Sequence, residues 1–428
     1  MDRLPEIAAA LRVAARRFGT PAYVTDVASI EAAAASLVAA FPDPWVPQYS
    51  VKANDVAAVI AAVCADGTGG IGANVVSRGE WAAASRAGVP NGRITLEGIG
   101  KSDADLRGAV RAARDGDPLL WIAVESVDEI AVLARFAAGL PSGRGIDVLL
   151  RLNPDVAPET HDALAVGRGG SKFGLTETEL TEAADAFASA PGLRLRGIHL
   201  HVGSQLGAVD AWRDGVRRSL ALLALVRGGL DAFDTLDVGG GFPVAPFGEP
   251  APDPARFARE LPPLLDALPA DRRPRRLAIE PGRFLVARAG WLVARVLHVR
   301  PRGVRQVVLD AGMTELIRPA LYGARHDVVA LTSLGQPIDH AARLPGPGAD
   351  DADVADVHGP ICESTDALGQ HLLPPLARGD VVAIRDAGAY GASLSSTYNG
   401  RPRPPQILLG AAGELRLGRR RGSAGALG

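Results

Sequence analysis

The sequence predicts an α/β fold: a TIM-type (β/α)8 barrel followed by an all-β C-terminal domain. Three observations predict it. From about residue 22 to residue 285, short apolar runs alternate with Ala-rich helical stretches, the pattern of successive βαβ units around a parallel sheet. Seven such runs are visible, with an eighth at Gly70–Val75, and that number suits a closed barrel better than an open sheet. After residue 286 the helical spacing fades, and strands follow one another through turns.

The elements follow in order. Leu4, Ile7, Ala8 and Leu11 sit at helical spacing within residues 1–19. Asp2, Arg3, Glu6 and Arg12 lie within that apolar pattern, so the segment reads as an amphipathic helix and not as a signal peptide. Thr20-Pro21 breaks it, and Ala22–Val24 reads as a short strand. Barrel strands are expected at Val46–Val51, Gly70–Val75, Arg93–Leu96, Leu119–Val124, Asp147–Leu152, Leu195–Val202, Thr235–Val238 and Arg276–Ile279. Helices are expected at Asp55–Ala65, Gly79–Ala87, Glu177–Ala188 and Asp210–Arg227. In the second domain, Val293–Val299, Gln306–Asp310, Asp327–Leu331, Val381–Asp386 and Gln406–Leu409 read as strands. The acidic, Gly/Pro-containing stretch Gly346–Val357 reads as an exposed loop, and the tail Arg419–Gly428 as a flexible end.

Composition narrows the function. The 428 residues are 47% hydrophobic and 22% charged, enough to bury a core and incompatible with a disordered chain. Lys and Arg total 46 against 48 Asp and Glu, a net charge of −2, which argues against an electrostatic nucleic-acid binder. Two cysteines, Cys64 and Cys362, make no disulfide framework and suit a reducing compartment. No run of 18 apolar residues exists, so no membrane partner is expected and a cytoplasmic protein is.

Chemistry in a parallel barrel sits at the C-terminal ends of the strands. Five of the expected strands end in unusual groups: Lys52-Ala53-Asn54, Asn153-Pro154, His199 to Ser204, Gly239-Gly240-Gly241, and Glu280-Pro281-Gly282-Arg283. A lysine closing an apolar strand is desolvated and becomes a nucleophile for Schiff-base chemistry; a snorkelling surface lysine is the alternative. The glycine run can cradle a phosphate, with Ser204 and Arg283 as further donors, or can be only a tight turn. His199 and His201 share a strand face, but nothing else in the sequence completes a metal site, so no metal is expected. An imidazole stacked on a flat cofactor suits His201; His199 reads equally well as a core histidine. Glu280 can hold a protonated ring nitrogen or pair internally with Arg283. Cys362 lies among Glu363, Ser364 and Asp366, too polar for an ordinary core thiol, whereas Cys64 reads as inert core. Arg318 and Tyr322 can grip a carboxylate, and Tyr390 stands between glycines as a phosphate or substrate contact.

Together these segments resemble the fold-type III pyridoxal phosphate decarboxylases, whose architecture is alanine racemase-like. Carrying the resemblance are Gly19–Val24, Tyr49–Asn54, Ser171–Gly174, Gly197–Gln205, Asp237–Phe242, Glu280–Arg283, Asp310–Tyr322, Gly359–Ser364 and Gly388–Arg403, in family order along nearly the whole chain. The resemblance implies a barrel over residues 25–286 and a β-domain built from 1–24 and 287–428. It implies pyridoxal 5'-phosphate as cofactor and a homodimer with shared active sites. Lys52 matches the cofactor-bearing lysine, His201 the stacking histidine and Glu280 the acid at the pyridine nitrogen. Ser204, Gly239, Gly240, Gly241, Gly282, Arg283 and Tyr390 match the phosphate pocket and its surroundings. Arg283, Arg318, Tyr322, Glu363 and Tyr390 match substrate contacts, and Cys362 the proton donor offered to the partner's site. The similarity is greatest to the branch that converts meso-diaminopimelate to L-lysine and CO2.

Two positions depart from the family pattern. Asn74 stands where Asp is usual, and Arg78 where Gly is usual. A related decarboxylase acting on an ornithine-like, arginine-like or carrier-bound amino acid is therefore a second reading. A non-catalytic pyridoxal phosphate carrier would lack the β-domain that holds Arg318, Tyr322 and Cys362. A racemase would place Arg, not Glu, at the ring nitrogen.

Overall fold

The computed structural model describes residues 2–161, 165, 167, 170–340 and 354–423. Helix α1 (Leu4–Phe18) leads into strand β1 (Ala22–Asp26). Beyond helix α2 (Val27–Ala40) come β2 (Trp45–Ser50), β3 (Gly72–Val75), β4 (Ile94–Leu96), β5 (Trp121–Val124), β6 (Ile146–Leu152), β7 (Leu193–Leu200), β8 (Thr235–Asp237) and β9 (Arg276–Ile279). These eight pair in parallel in chain order, and β9 closes on β2. Strands buried on both faces need apolar residues throughout, which is why they read as continuous runs. Alternation still assigns the faces. Ile122, Val124, Val148 and Leu150 pack outward into the main core. Trp121, Ala123, Leu149 and Ala278 form a separate small cluster, the filling of the barrel itself.

Helices α3 (Ala57–Val63), α4 (Arg78–Arg86), α5 (Asp103–Asp115), α6 (Val127–Ala137), α7 (Glu177–Phe187) and α8 (Asp210–Arg227) return the chain between strands. Short α9 (Pro254–Ala258) and α10 (Leu261–Asp266) precede β9, and α11 (Arg283–Val286) follows it. Their starts are written locally. Ser77, Ser102, Ser126 and Thr176 each accept the backbone N–H of the residue three positions on. Ser102–Asp105 and Thr176–Glu179 complete capping boxes.

The second sheet takes β10 (Gly290–Arg302) and β11 (Val304–Leu309). One short helix, α12 (Arg318–Tyr322), interrupts the strands. Then come β12 (Val328–Ala330), a separate two-stranded hairpin of β13 (Thr332–Ser333) and β14 (Gln336–Pro337) outside this sheet, and the sheet's β15 (Val354–His358), β16 (Ala367–Leu372), β17 (Val381–Ile384), β18 (Gln406–Leu409) and β19 (Leu415–Arg419). β1 runs antiparallel to β10 and parallel to β18, so the N-terminal strand is held inside this sheet. Leu4, Ile7 and Leu11 of α1 pack on Val24, Trp291, Val293 and Ile407. Each such buried side chain contributes roughly 1.5–3 kcal/mol.

Several boundaries differ from expectation. β2 stops at Ser50, one residue short of Val51, with Lys52 beyond the strand as expected, and β7 stops at Leu200, so His201 lies just past its strand and not within it. The expected acidic loop overlaps β15, which starts at Val354; residues 346–353 lie outside the described residues. β16 and β19 escaped the pattern because exposed polar residues break their apolar alternation. Only Arg419, the first residue of the expected flexible tail, is strand among the described residues. Arg421 beyond it donates to the carbonyls of Phe18 and Pro21, while residues 424–428 lie outside the described residues. No helix among the described residues is long and apolar enough to cross a membrane.

Candidate active site

Lys52 sits half-buried in a single 3-10 turn, Val51–Ala53, immediately after β2. The turn is tied on two sides. Ser50 donates its amide to the Pro281 carbonyl and its hydroxyl to the Glu280 carbonyl at 3.1 Å, joining the ends of β2 and β9. From the second sheet, the Tyr390 amide donates to the Ala53 carbonyl at 2.7 Å, and Asn54 donates to the Gly388 carbonyl at 3.0 Å. Tyr390 adopts a left-handed backbone, φ 60°, uncommon for an aromatic residue and held by these contacts. Glu80, on the first turn of α4, lies near enough for Lys52 to oppose the upward push that burial gives its carboxyl.

The glycine run after β8 is built for close approach. Gly239 (φ 68°) and Gly241 (φ 102°) are left-handed, and a Cβ at Gly239 or Gly240 would overlap the Leu200 or Glu280 carbonyl oxygen. The Gly240 N–H donates to His201 Nδ1 at 3.2 Å. That bond makes Nδ1 the acceptor and leaves the proton on Nε2. Desolvation, then the positive field of Lys52 and Arg151, push His201 well below its ordinary pKa, so the ring is neutral. The Gly240 N–H is thus committed to His201 and is not free for a phosphate. Arg283, at the start of α11, donates Nη2 to Ser204 Oγ at 3.1 Å and lies 4.7 Å over the Tyr390 ring. Its Nε and Nη1 are buried with no partner among the described residues. Gly282 lets this segment press against Ser50, 3.0 Å from the position its Cβ would take.

Glu280 does not pair with Arg283 among the described residues. It accepts a hydrogen bond from Asn74 Nδ2 at 2.6 Å, so one family departure lies directly in the site. Arg78, the other, is exposed on α4. Around Glu280 lie Glu97, Asp237 and His199, all buried. His199 Nε2 stands 3.4 Å from both Glu97 and Glu280. Burial, then the neighbouring Glu280 charge, raise Glu97 to about 8, and burial lowers His199 to about 4. Asp237 is pushed well up by the same causes as Glu97. Glu97, His199 and Glu280 offer atoms within 4.8 Å of one another, a ligand-like set. Burial and the Glu280 charge favour a proton retained on Glu97, which offsets the crowded charge. The two histidines do not act together: His199 joins the carboxylates, and His201 faces the glycines.

Arg318 opens α12 and is buried; its Nη1 lies 2.8 Å from His326 Nε2. Burial, and then Arg283, lower its pKa to about 10, still positive at neutral pH. Arg283, Arg318, His326, Gln205 and Asp386 line one cavity of about 200 Å³. Tyr322, at the other end of α12, sets its ring edge-on to His161 at 6.0 Å. Cys362 and Glu363 stand apart from this group. Both are exposed; Cys362 Sγ accepts from Asn399 at 3.4 Å, and Tyr398 donates to Glu363 at 2.6 Å. Lys52, His201, Ser204, Gly239–Gly241, Glu280, Gly282, Arg283 and Tyr390 are therefore brought together, with Arg318 adjoining through the shared cavity, while Cys362 and Glu363 bond elsewhere. Sequence reasoning passed over Glu97, Asp237 and His326. Glu97 follows β4 directly, and the strand-end rule that found Lys52 would have found it.

Residues 27–287 match the family described as pyridoxal-dependent decarboxylase, pyridoxal binding domain. The chain belongs to this family. Diaminopimelate decarboxylase of Aquifex aeolicus is 34% identical over 415 residues, 96% of this chain and 91% of that protein. The Deinococcus radiodurans protein of the same name is 36% identical over 404 residues, 93% of this chain and 92% of its own length. A crystal structure of diaminopimelate decarboxylase from Helicobacter pylori complexed with L-lysine superposes with a TM-score of 0.84 at 29% identity, covering 97% of this chain and 98% of that one.

The residues present fit the family's pyridoxal group. A lysine amine, a neutral imidazole and a glycine cradle intolerant of any Cβ converge at one barrel end. The unpartnered Arg283 donors supply the positive, hydrogen-bonding lining that a phosphate requires.

Proposed function

We propose that this chain, with pyridoxal 5'-phosphate, decarboxylates meso-diaminopimelate to L-lysine and CO2. The observation that carries the reading is the near full-length likeness to diaminopimelate decarboxylases, at 34% and 36% identity. Bound pyridoxal phosphate supplies an electron sink for the pair of electrons left when CO2 departs. Lys52 is the residue that would hold it covalently. Glu280, kept in place by Asn74, would hold the ring nitrogen in its protonated form. His201 would lie against the ring face, its orientation set by Gly240. Arg283 and Ser204 would receive the phosphate beside the Gly239–Gly241 run, whose missing side chains would let it approach while the Gly239 and Gly240 N–H groups stay on Asp237 and His201, with Gly282 and Tyr390 shaping its surroundings.

Arg318 and Tyr322 would hold the carboxylate at the far end of the diacid, a group that a simple diamine precursor lacks. The buried Arg318 Nε, without a partner among the described residues, supports that role. Arg283 and Tyr390 would complete the near side. We assign Cys362 as the proton donor, acting with Glu363 across a homodimer interface. Their exposure, and side-chain hydrogen bonds that among the described residues run to Asn399 and Tyr398, support action on a partner's site. Two free cysteines suit a reducing, cytoplasmic setting.

Lys52→Ala tests the core of the reading. It is expected to abolish CO2 release from meso-diaminopimelate; full activity in that variant would overturn it. Mixing Lys52→Ala with Cys362→Ala tests the shared site. Hybrid dimers are expected to regain activity, and a mixture that stays inactive would refute the exchange of Cys362 between protomers.

A further inference from the structure

We propose that His326 is a positioning residue for the substrate: it holds Arg318 in the orientation that receives the far carboxylate. The inference rests on the carboxylate role given to Arg318 above.

His326 is 2% exposed and bonded at both ring nitrogens. Nδ1 lies 2.9 Å from the Arg385 carbonyl oxygen. A carbonyl can only accept, so Nδ1 carries the proton. Nε2 lies 2.8 Å from Arg318 Nη1, and a guanidinium can only donate, so Nε2 is a bare lone pair. Both partners thus demand one neutral tautomer. A second proton would set N–H against N–H beside a fixed positive charge. Burial, then Arg318 itself, keep the ring's pKa down near 4, consistent with that assignment.

The far end of this chain of bonds is rigid. The Arg385 amide donates to the Asp327 carbonyl at 2.9 Å, next to the β12–β17 pairing. Its guanidinium grips both carboxylate oxygens of Asp2, at 2.8 and 3.0 Å, and covers the Trp291 ring at 4.9 Å. His326 therefore carries a fixed backbone position across to the Arg318 guanidinium. One edge of that guanidinium is spoken for, while its Nε is buried without a partner among the described residues, beside the cavity it shares with Arg283. A guanidinium with one edge pinned loses less side-chain entropy when a carboxylate engages the rest.

L-Lysine retains one carboxylate of the diacid, whereas cadaverine retains none, so the pair separates carboxylate capture from general damage. Binding to the cofactor-loaded protein is measured by calorimetry for native protein, His326→Leu, His326→Asn, His326→Gln and Arg318→Ala. Leu cannot bond, and Asn is too short to span both partners. Both are expected to weaken L-lysine binding about 10- to 100-fold, the size of one charge-assisted hydrogen bond, with cadaverine unchanged. Gln offers one acceptor and one donor at similar reach and is expected to recover most of the loss. In turnover, KM for diaminopimelate should rise more than kcat falls. Arg318→Ala weakening lysine while the Leu and Asn variants bind it normally would overturn the inference and leave the Arg318 reading standing. Native lysine affinity in Arg318→Ala would instead overturn the reading of Arg318. Equal losses for lysine and cadaverine in the Asn variant, or no recovery in a normally folded Gln variant, would also refute the positioning role.

Discussion

Asn74→Asp replaces one buried amide with a carboxyl in a pocket that already holds Glu97, Asp237 and Glu280. The native amide donates to Glu280 Oε1 at 2.6 Å. Losing a hydrogen bond to a charged group costs about 1.5–3 kcal/mol. Two like charges about 4 Å apart at an effective dielectric near 20 repel by roughly 4 kcal/mol. The pocket avoids the full sum by keeping a proton on the new acid, so its folded pKa rises above the unfolded value of about 3.9. The folded state then binds more protons than the unfolded one, and stability falls as pH rises. The slope is at most ~1.4 kcal/mol per pH unit. Relative to native protein, the variant should already be weaker by about 1.5 kcal/mol at pH 5, one unit above the unfolded value. At pH 8 it should be weaker by on the order of 4 kcal/mol, a large part of a domain's usual stability. Urea unfolding midpoints of the cofactor-free chain at the two pH values measure this directly. A deficit that is the same at both, or absent at pH 8, would refute the Asn74–Glu280 contact and the crowded-carboxylate account.

Glu97→Gln should show the converse. Native Glu97, raised to about 8 in the fold against 4.5 ordinarily, contributes stability below that ordinary value and loses it as pH rises toward 8. The variant's advantage over native protein should therefore grow with pH across that window, read again from urea midpoints; a constant difference would contradict it. Gly240→Ala drives a Cβ into the Glu280 carbonyl and should weaken pyridoxal phosphate binding at least about 10-fold by titration. Gly139→Ala, where a Cβ meets open space, should bind the cofactor normally. Cys362→Ala should keep native cofactor affinity while losing lysine formation, because the thiol's hydrogen bond runs to Asn399 and not to the Lys52 group.

The barrel was legible because parallel strands demand apolar runs and because chemistry follows their ends. Lys52, the glycine run, Glu280 and Arg283 all sit within a few residues of a strand terminus. β15, β16 and β19 were not legible, since each leaves one face partly or fully open and mixes polar or charged residues into a short alternation. The pocket around Glu280 was read only in part. Asn74 was noticed as a family departure, but its partner is 206 positions away, a pairing that only barrel closure creates. His326 gave no local signal at all. Its role depends on a backbone carbonyl from β17's far end and a guanidinium from α12, and neither is visible in the Arg325-His326-Asp327 context.

CO2 release by the cofactor-loaded protein tests the central claim most directly, measured across meso-diaminopimelate, L-lysine, L-ornithine, L-arginine and L-glutamate. The account predicts release from diaminopimelate alone, with one L-lysine formed for each CO2. Release from lysine, ornithine, arginine or glutamate with none from diaminopimelate would contradict it, and with it the carboxylate role of Arg318 and Tyr322.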